Sequence, residues 1–131
     1  MSNALIIGVD FDGTIVEHEY PEVGDPIPGS VETLRECAKR GARLILWTMR
    51  SGNELLEAVR FLSDHSVPMF GINKNPEQHW STSPKAYCHV YVDDAALGCP
   101  LTHGDGFAGR RPMVDWSKVA PVLFAMIEAR K

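Results

Sequence analysis

The chain has 131 residues, a formal net charge of -4 and 44% hydrophobic residues. That is the size of one domain of about 100–150 residues, so a single domain over 1–131 is expected. The acidic balance argues against broad nucleic-acid binding, which draws on a basic surface. Cys37, Cys88 and Cys99 follow no CxxC or framework spacing, which argues against a zinc knuckle or a disulfide scaffold and for reduced thiols in a cytoplasmic protein. The sequence shows no signal-peptide pattern, and no apolar run approaches the ~20 residues of a membrane span, so no membrane partner is expected.

Ala4–Val9 is apolar, partly β-branched and too short for a helix, the pattern of a strand buried on both faces. It ends in two acids, Asp10 and Asp12, followed by Gly13 and Thr14. A Pro-, Glu- and Gly-rich loop runs from Gly13 to Gly29; its composition allows a hairpin or an irregular loop. Ser30 is suited to cap a helix to about Arg40, with Val31, Leu34 and Ala38 facing inward and Gly41 ending it. Arg43–Thr48 reads as a second buried strand. Glu54–His65 reads as a helix with Leu55, Leu56, Val59 and Leu62 inward, and Val67–Gly71 as a weak edge strand beginning near Pro68.

Ile72–Pro84 is a polar loop, Cys88–Val92 a strand ending in Asp93 and Asp94, and Gly98–Pro112 a loop. Trp116–Arg130 closes the chain as a helix with Val119, Val122, Leu123, Met126 and Ile127 as its apolar face. Strands alternating with helices imply parallel crossovers and a three-layer, Rossmann-like α/β fold with a mostly parallel sheet. His18, His65, His79, His89 and His103 share no ligand spacing and read as surface or packing residues. Arg110-Arg111 reads as a solvated turn, and Asn73, Lys74 and Trp80 as parts of a polar loop near the site.

Ligands of open parallel sheets bind outside the carboxyl ends of the strands. Asp10, Asp12, Thr48, Asp93 and Asp94 all follow strand ends, and Lys85 lies on the approach to one. Four carboxylates in one cleft resist ionisation together. A hard divalent cation such as Mg²⁺ relieves that repulsion and leaves room for a substrate phosphate. Carboxylate, cation, lysine and hydroxyl together suit phosphoryl transfer.

The pieces VDFDGT, LWT, SPKAY and VYVDDA occur in the order, residue type and strand position of four motifs, and the chain from Leu5 to about Leu97 resembles the haloacid dehalogenase (HAD) superfamily of phosphatases. The resemblance implies Asp10 as the nucleophile that takes the phosphoryl group and Asp12 as the acid and base. It implies Thr48 and Lys85 as phosphate-binding catalytic groups. Asp10, the Asp12 carbonyl, Asp94 and Asp93 would be metal ligands, with Asp94 the direct one of the last pair. Arg50, two residues past Thr48, is placed to contact substrate or to lie in solvent.

Neither gap between motifs has room for the cap domain common in that superfamily. An open site suits phosphate groups on large substrates, or a cap borrowed from a second copy in a homo-oligomer. The resulting expectation is a Mg²⁺-dependent phosphohydrolase acting on a phosphomonoester, small or end-phosphorylated and macromolecular. The alternatives are a nucleotide or polynucleotide-end phosphatase, reaction at a phosphoanhydride, phosphonate or haloacid centre, and a non-catalytic phosphate-binding or signalling module. Asp12 disfavours the haloacid, and the order of the acids disfavours a phospho-accepting receiver.

Overall fold

The computed structural model describes residues 3–103 and 111–131. Four strands form a parallel sheet: β1 (Ile6–Val9), β2 (Arg43–Leu46), β3 (Gly71–Ile72) and β4 (Val90–Val92), in the order β3-β2-β1-β4. β5 (Leu101–Thr102) and β6 (Met113–Val114) form a separate antiparallel pair. The helices are α1 (Ser30–Lys39), α2 (Gly52–Asp64) and α3 (Trp116–Ala129). This is an α/β architecture of Rossmann-like strand order. Among the described residues no helix is long and apolar enough to cross a membrane.

The strand order explains the packing. β1–α1–β2 and β2–α2–β3 step the same way across the sheet, so right-handed crossovers put both helices on one face. Ile7, Val9, Leu44 and Leu46 point to that face. They share one buried cluster with Leu34 of α1, Leu62 of α2 and Leu123 of α3. Ile6 and Ile45, one residue out of phase, point the other way. They meet Ala86, Cys88, Trp47, Phe70 and Tyr91. Among the described residues this second face is covered by the connection into β4 and by strand-end side chains, and no helix contributes to it. Gly8 leaves room there, since a Cβ would approach Cys88 Sγ to 2.9 Å and Tyr91 Cδ1 to 3.0 Å.

Several sequence expectations shift. The third strand falls at Gly71–Ile72, after Pro68. The fourth begins at Val90, although His89 N already donates to Ile6 O. Ser30 does not cap α1: Gly29 holds that position with φ 85°, and the buried Ser30 hydroxyl donates to Ile15 O. The 13–29 segment resolves as a hairpin-like fold-back, with a Val16–Pro26 bridge and buried Ile15, Val16 and Ile27. Leu56 and Val122 are 60% and 57% exposed. Leu56 lies about 140° round α2 from the buried Ala58–Leu62 stripe, and Val122 about 100° round α3 from Val119–Leu123–Ile127. The expected 98–112 loop contains β5, and its residues 104–110 lie outside the described ones.

The C-terminal segment is tied to the β1 loop. Val114 N donates to Gly13 O, and the indole of the buried Trp116 donates to Thr14 O at 2.7 Å. Trp116→Phe leaves the Thr14 carbonyl buried without that donor. It is expected to lower stability by about 1–3 kcal/mol, measured by urea unfolding.

Candidate metal and phosphate site

All four parallel strands point their carboxyl ends at one edge. The strand order reverses between β1 and β4, and a crevice opens at such a switch point. Asp10 N donates to Val92 O there, which brings the residues after β1 beside those after β4. The resulting cleft of about 560 Å³ is lined by Asp10, Asp12, Thr48, Asp93 and Asp94, with Trp47, Asn73, His18 and Arg111 among the others. Of the seven expected site residues, Asp10, Asp12, Thr48, Asp93 and Asp94 line the cleft, and Arg50 and Lys85 do not.

Thr14 joins the two strand ends. Its hydroxyl donates to Asp10 Oδ2 at 3.0 Å and accepts from Asp94 N at 3.1 Å, and the residue is fully buried. The tight turn that presents it needs Gly13, with φ 83°; a Cβ there would collide with His18 Nε2 and Asp94 Oδ2. Asp93 Oδ1 accepts from Ala95 N, capping the turn after β4. Thr48 is fixed from both sides. Its N–H donates to Asn73 Oδ1, and its hydroxyl accepts from Arg50 N. Asn73, at φ 54°, takes a left-handed backbone that asparagine tolerates.

Asp10, Asp93 and Asp94 each offer a carboxylate oxygen within 4.8 Å of the others. Burial, then the charge of Asp93 and the proximity of Asp94, push the Asp10 carboxyl up from 3.8 to about 8. Such a cluster is short of positive charge, and its hard oxygen donors fit a hard divalent cation. Both Asp93 and Asp94 belong to the cluster; Asp94 is held by His18 and Thr14, and Asp93 by the turn that follows it.

Two sequence readings are corrected. Arg50 does not face substrate. Its side chain is 1% exposed and sits between the rings of Phe11 and Tyr20. All five of its N–H donors are used. Two hold the Asp12 oxygens, both at 2.8 Å, and three reach the carbonyls of Pro21, Glu22 and Glu54. Lys85 is exposed and does not line the cleft; its amine lies 5.2 Å from the Tyr91 ring centroid. Tyr91 offers a cation–π surface, and none of the described acids pairs with Lys85.

Sequence reasoning also missed cleft residues. His18 places Nε2 2.9 Å from Asp94 Oδ2, so it belongs to the site. Arg111 lines the cleft, and Arg110 lies outside the described residues. Neither carries a local signal, because the fold-back and β6 that deliver them depend on long-range pairing. Thr14 was legible in principle, as the hydroxyl four residues after Asp10 across an obligatory glycine turn. His89 is a packing residue as expected, its Nδ1 accepting from Ile6 N. Lys74 lines a smaller adjoining cavity that shares Asn73 and Pro84 with the cleft, and Trp80 packs edge-on against Tyr87.

Arg50→Met strips Asp12 of both donors. It is expected to cost about 3–5 kcal/mol in a denaturant titration, as for other broken buried pairs. A second expectation concerns pH. With its folded value raised, Asp10 contributes stability that is full below about 3.8 and lost as pH rises through about 8. In chelator, the melting temperature of the wild type should therefore fall relative to Asp10→Asn across that interval. Added divalent cation should reduce the difference. Parallel melting curves for the two proteins would refute the crowded-carboxylate picture.

Comparison with known proteins finds no matching protein-family profile and no matching curated protein. Among solved structures, a conserved protein coded by a locus of Bacteroides thetaiotaomicron superposes with a TM-score of 0.77 at 35% identity. The match covers 94% of this chain and 92% of that one.

Proposed function

From the premise that this chain belongs to the same family as the conserved Bacteroides thetaiotaomicron protein, we propose that the family is a capless branch of the HAD superfamily and that this member is a Mg²⁺-dependent phosphohydrolase. The observation that carries the reading is the Asp10–Asp93–Asp94 oxygen cluster at the sheet's switch point, opening on a cleft that also holds Asp12 and Thr48. In this reading the second face is covered by the 73–88 connection and not by a further helical layer. The open cleft admits a phosphate carried on a large substrate.

Asp10, Asp93 and Asp94, with the Asp12 carbonyl, would hold Mg²⁺. The ion would supply positive charge that lets Asp10 stay ionised and draws phosphate oxygens into the cleft. An Asp10 oxygen attacks phosphorus as the bond to the leaving oxygen breaks, and Asp12, which enters the step protonated on a lone pair that Arg50 leaves free, gives that oxygen its proton. Water then attacks the aspartyl-phosphate, Asp12 takes its proton, and phosphate leaves with Asp10 restored. Arg50 sets the direction in which the Asp12 carboxylate faces, and its hold on both oxygens leaves lone pairs that can still accept from water. The Thr48 hydroxyl is a donor for a phosphate oxygen at the mouth of the same cleft.

Phosphate release from a panel of phosphomonoesters, including nucleotides, sugar phosphates and end-phosphorylated oligonucleotides, tests this. Turnover is expected with Mg²⁺, absent with chelator, and reduced by about three orders of magnitude or more in Asp10→Asn. A panel with no Mg²⁺-dependent release would sink the reading.

A further inference from the structure

A phosphate entering a cleft lined by four carboxylates needs a cation supplied by the protein as well as any metal. The side chains available can be taken in turn. Arg50 is buried with every donor engaged. Lys85 sits over Tyr91, outside the cleft. Lys74 lines the adjoining cavity. His18 is held against Asp94. Among the described residues that leaves Arg111, which lines the same cleft as the acids and has no hydrogen-bond or ion-pair partner there.

Its position is anchored. Arg111 precedes buried Met113 by two residues, a reach of at most about 7 Å. Met113 and Val114 pair with Thr102 and Leu101, and Val114 N donates to Gly13 O in the turn that carries the acids. Trp116 fixes the next turn of chain to Thr14 O. The segment beyond the four motifs thus places Arg111 at the cleft.

We propose that Arg111 binds the phosphate oxygens of the substrate, in the role that the motif pattern gives to Lys85. This rests on the phosphohydrolase reading and adds a specificity element to it: a planar fork that grips two oxygens of a terminal phosphate. A terminal phosphate keeps three unesterified oxygens and a charge of about -1.5 to -2, so two can meet the guanidinium while the third stays free for other partners; a phosphodiester has only two such oxygens, which share a single negative charge.

The test is calorimetric titration of the whole protein, in Mg²⁺, with inorganic phosphate, beside KM and kcat on the best panel substrate. Arg111→Gln should weaken phosphate binding and raise KM by about ten- to a hundredfold. Arg111→Lys should recover part of the loss, and Lys85→Gln should stay within about twofold of wild type. Arg111 is exposed, so unchanged melting temperatures accompany these results. Wild-type affinity and KM in Arg111→Gln, or a loss in Lys85→Gln as large as in Arg111→Gln, overturns the assignment. A wild-type protein that neither binds phosphate nor turns over any substrate removes the phosphohydrolase reading itself, and Arg111 with it.

Discussion

Thr14 is the residue on which the arrangement of the cleft depends. One hydroxyl donates to Asp10 and accepts from the backbone of Asp94, while the same residue's carbonyl takes the Trp116 indole. Three parts of the chain, the end of β1, the end of β4 and the start of α3, therefore meet at one fully buried residue. A buried hydroxyl whose donor and acceptor capacities are both used has one favoured orientation. That orientation holds Asp10 beside the start of the Asp93–Asp94 turn, against the repulsion among the carboxylates. Left alone, the acids would move apart.

Arg50 imposes a second constraint of a different kind. It links Asp12 to the carbonyls of Pro21 and Glu22 in the fold-back and of Glu54 in α2. A guanidinium buried without these partners would be expensive, so the five bonds form or fail together. The fold-back is thereby joined to the same group that orients the acid–base carboxylate. Its apolar residues, Ile15, Val16 and Ile27, are fully or almost fully buried. It packs as part of the core and is not a free-standing flap.

The sheet was legible because its signal is local. Short apolar runs ending in acids mark buried parallel strands, and the order of strands and helices restricts the crossovers. The Asp10, Asp12, Thr48, Asp93 and Asp94 positions follow from those strand ends. What local sequence did not disclose was direction. Lys85 lies next to cleft-lining Pro84, yet its side chain turns to Tyr91. Arg50 and Arg111 are both short-range neighbours of polar sequence, yet one is sealed by five acceptors and the other is carried to the cleft by a strand pair more than ten residues apart. A cation's role is set by what surrounds it in space, and that information resides in tertiary pairing.

The sheet also ends abruptly on both sides. β3 contributes two residues and β4 three, so its flanks expose only a short row of unpaired peptide groups. A neighbouring molecule that docked a strand there would gain few backbone hydrogen bonds for the order it gave up. The longer strands, β1 and β2, are enclosed between these truncated flanks. The sheet is thus protected against growing from one molecule into the next without spending a charged or proline-bearing strand on the task.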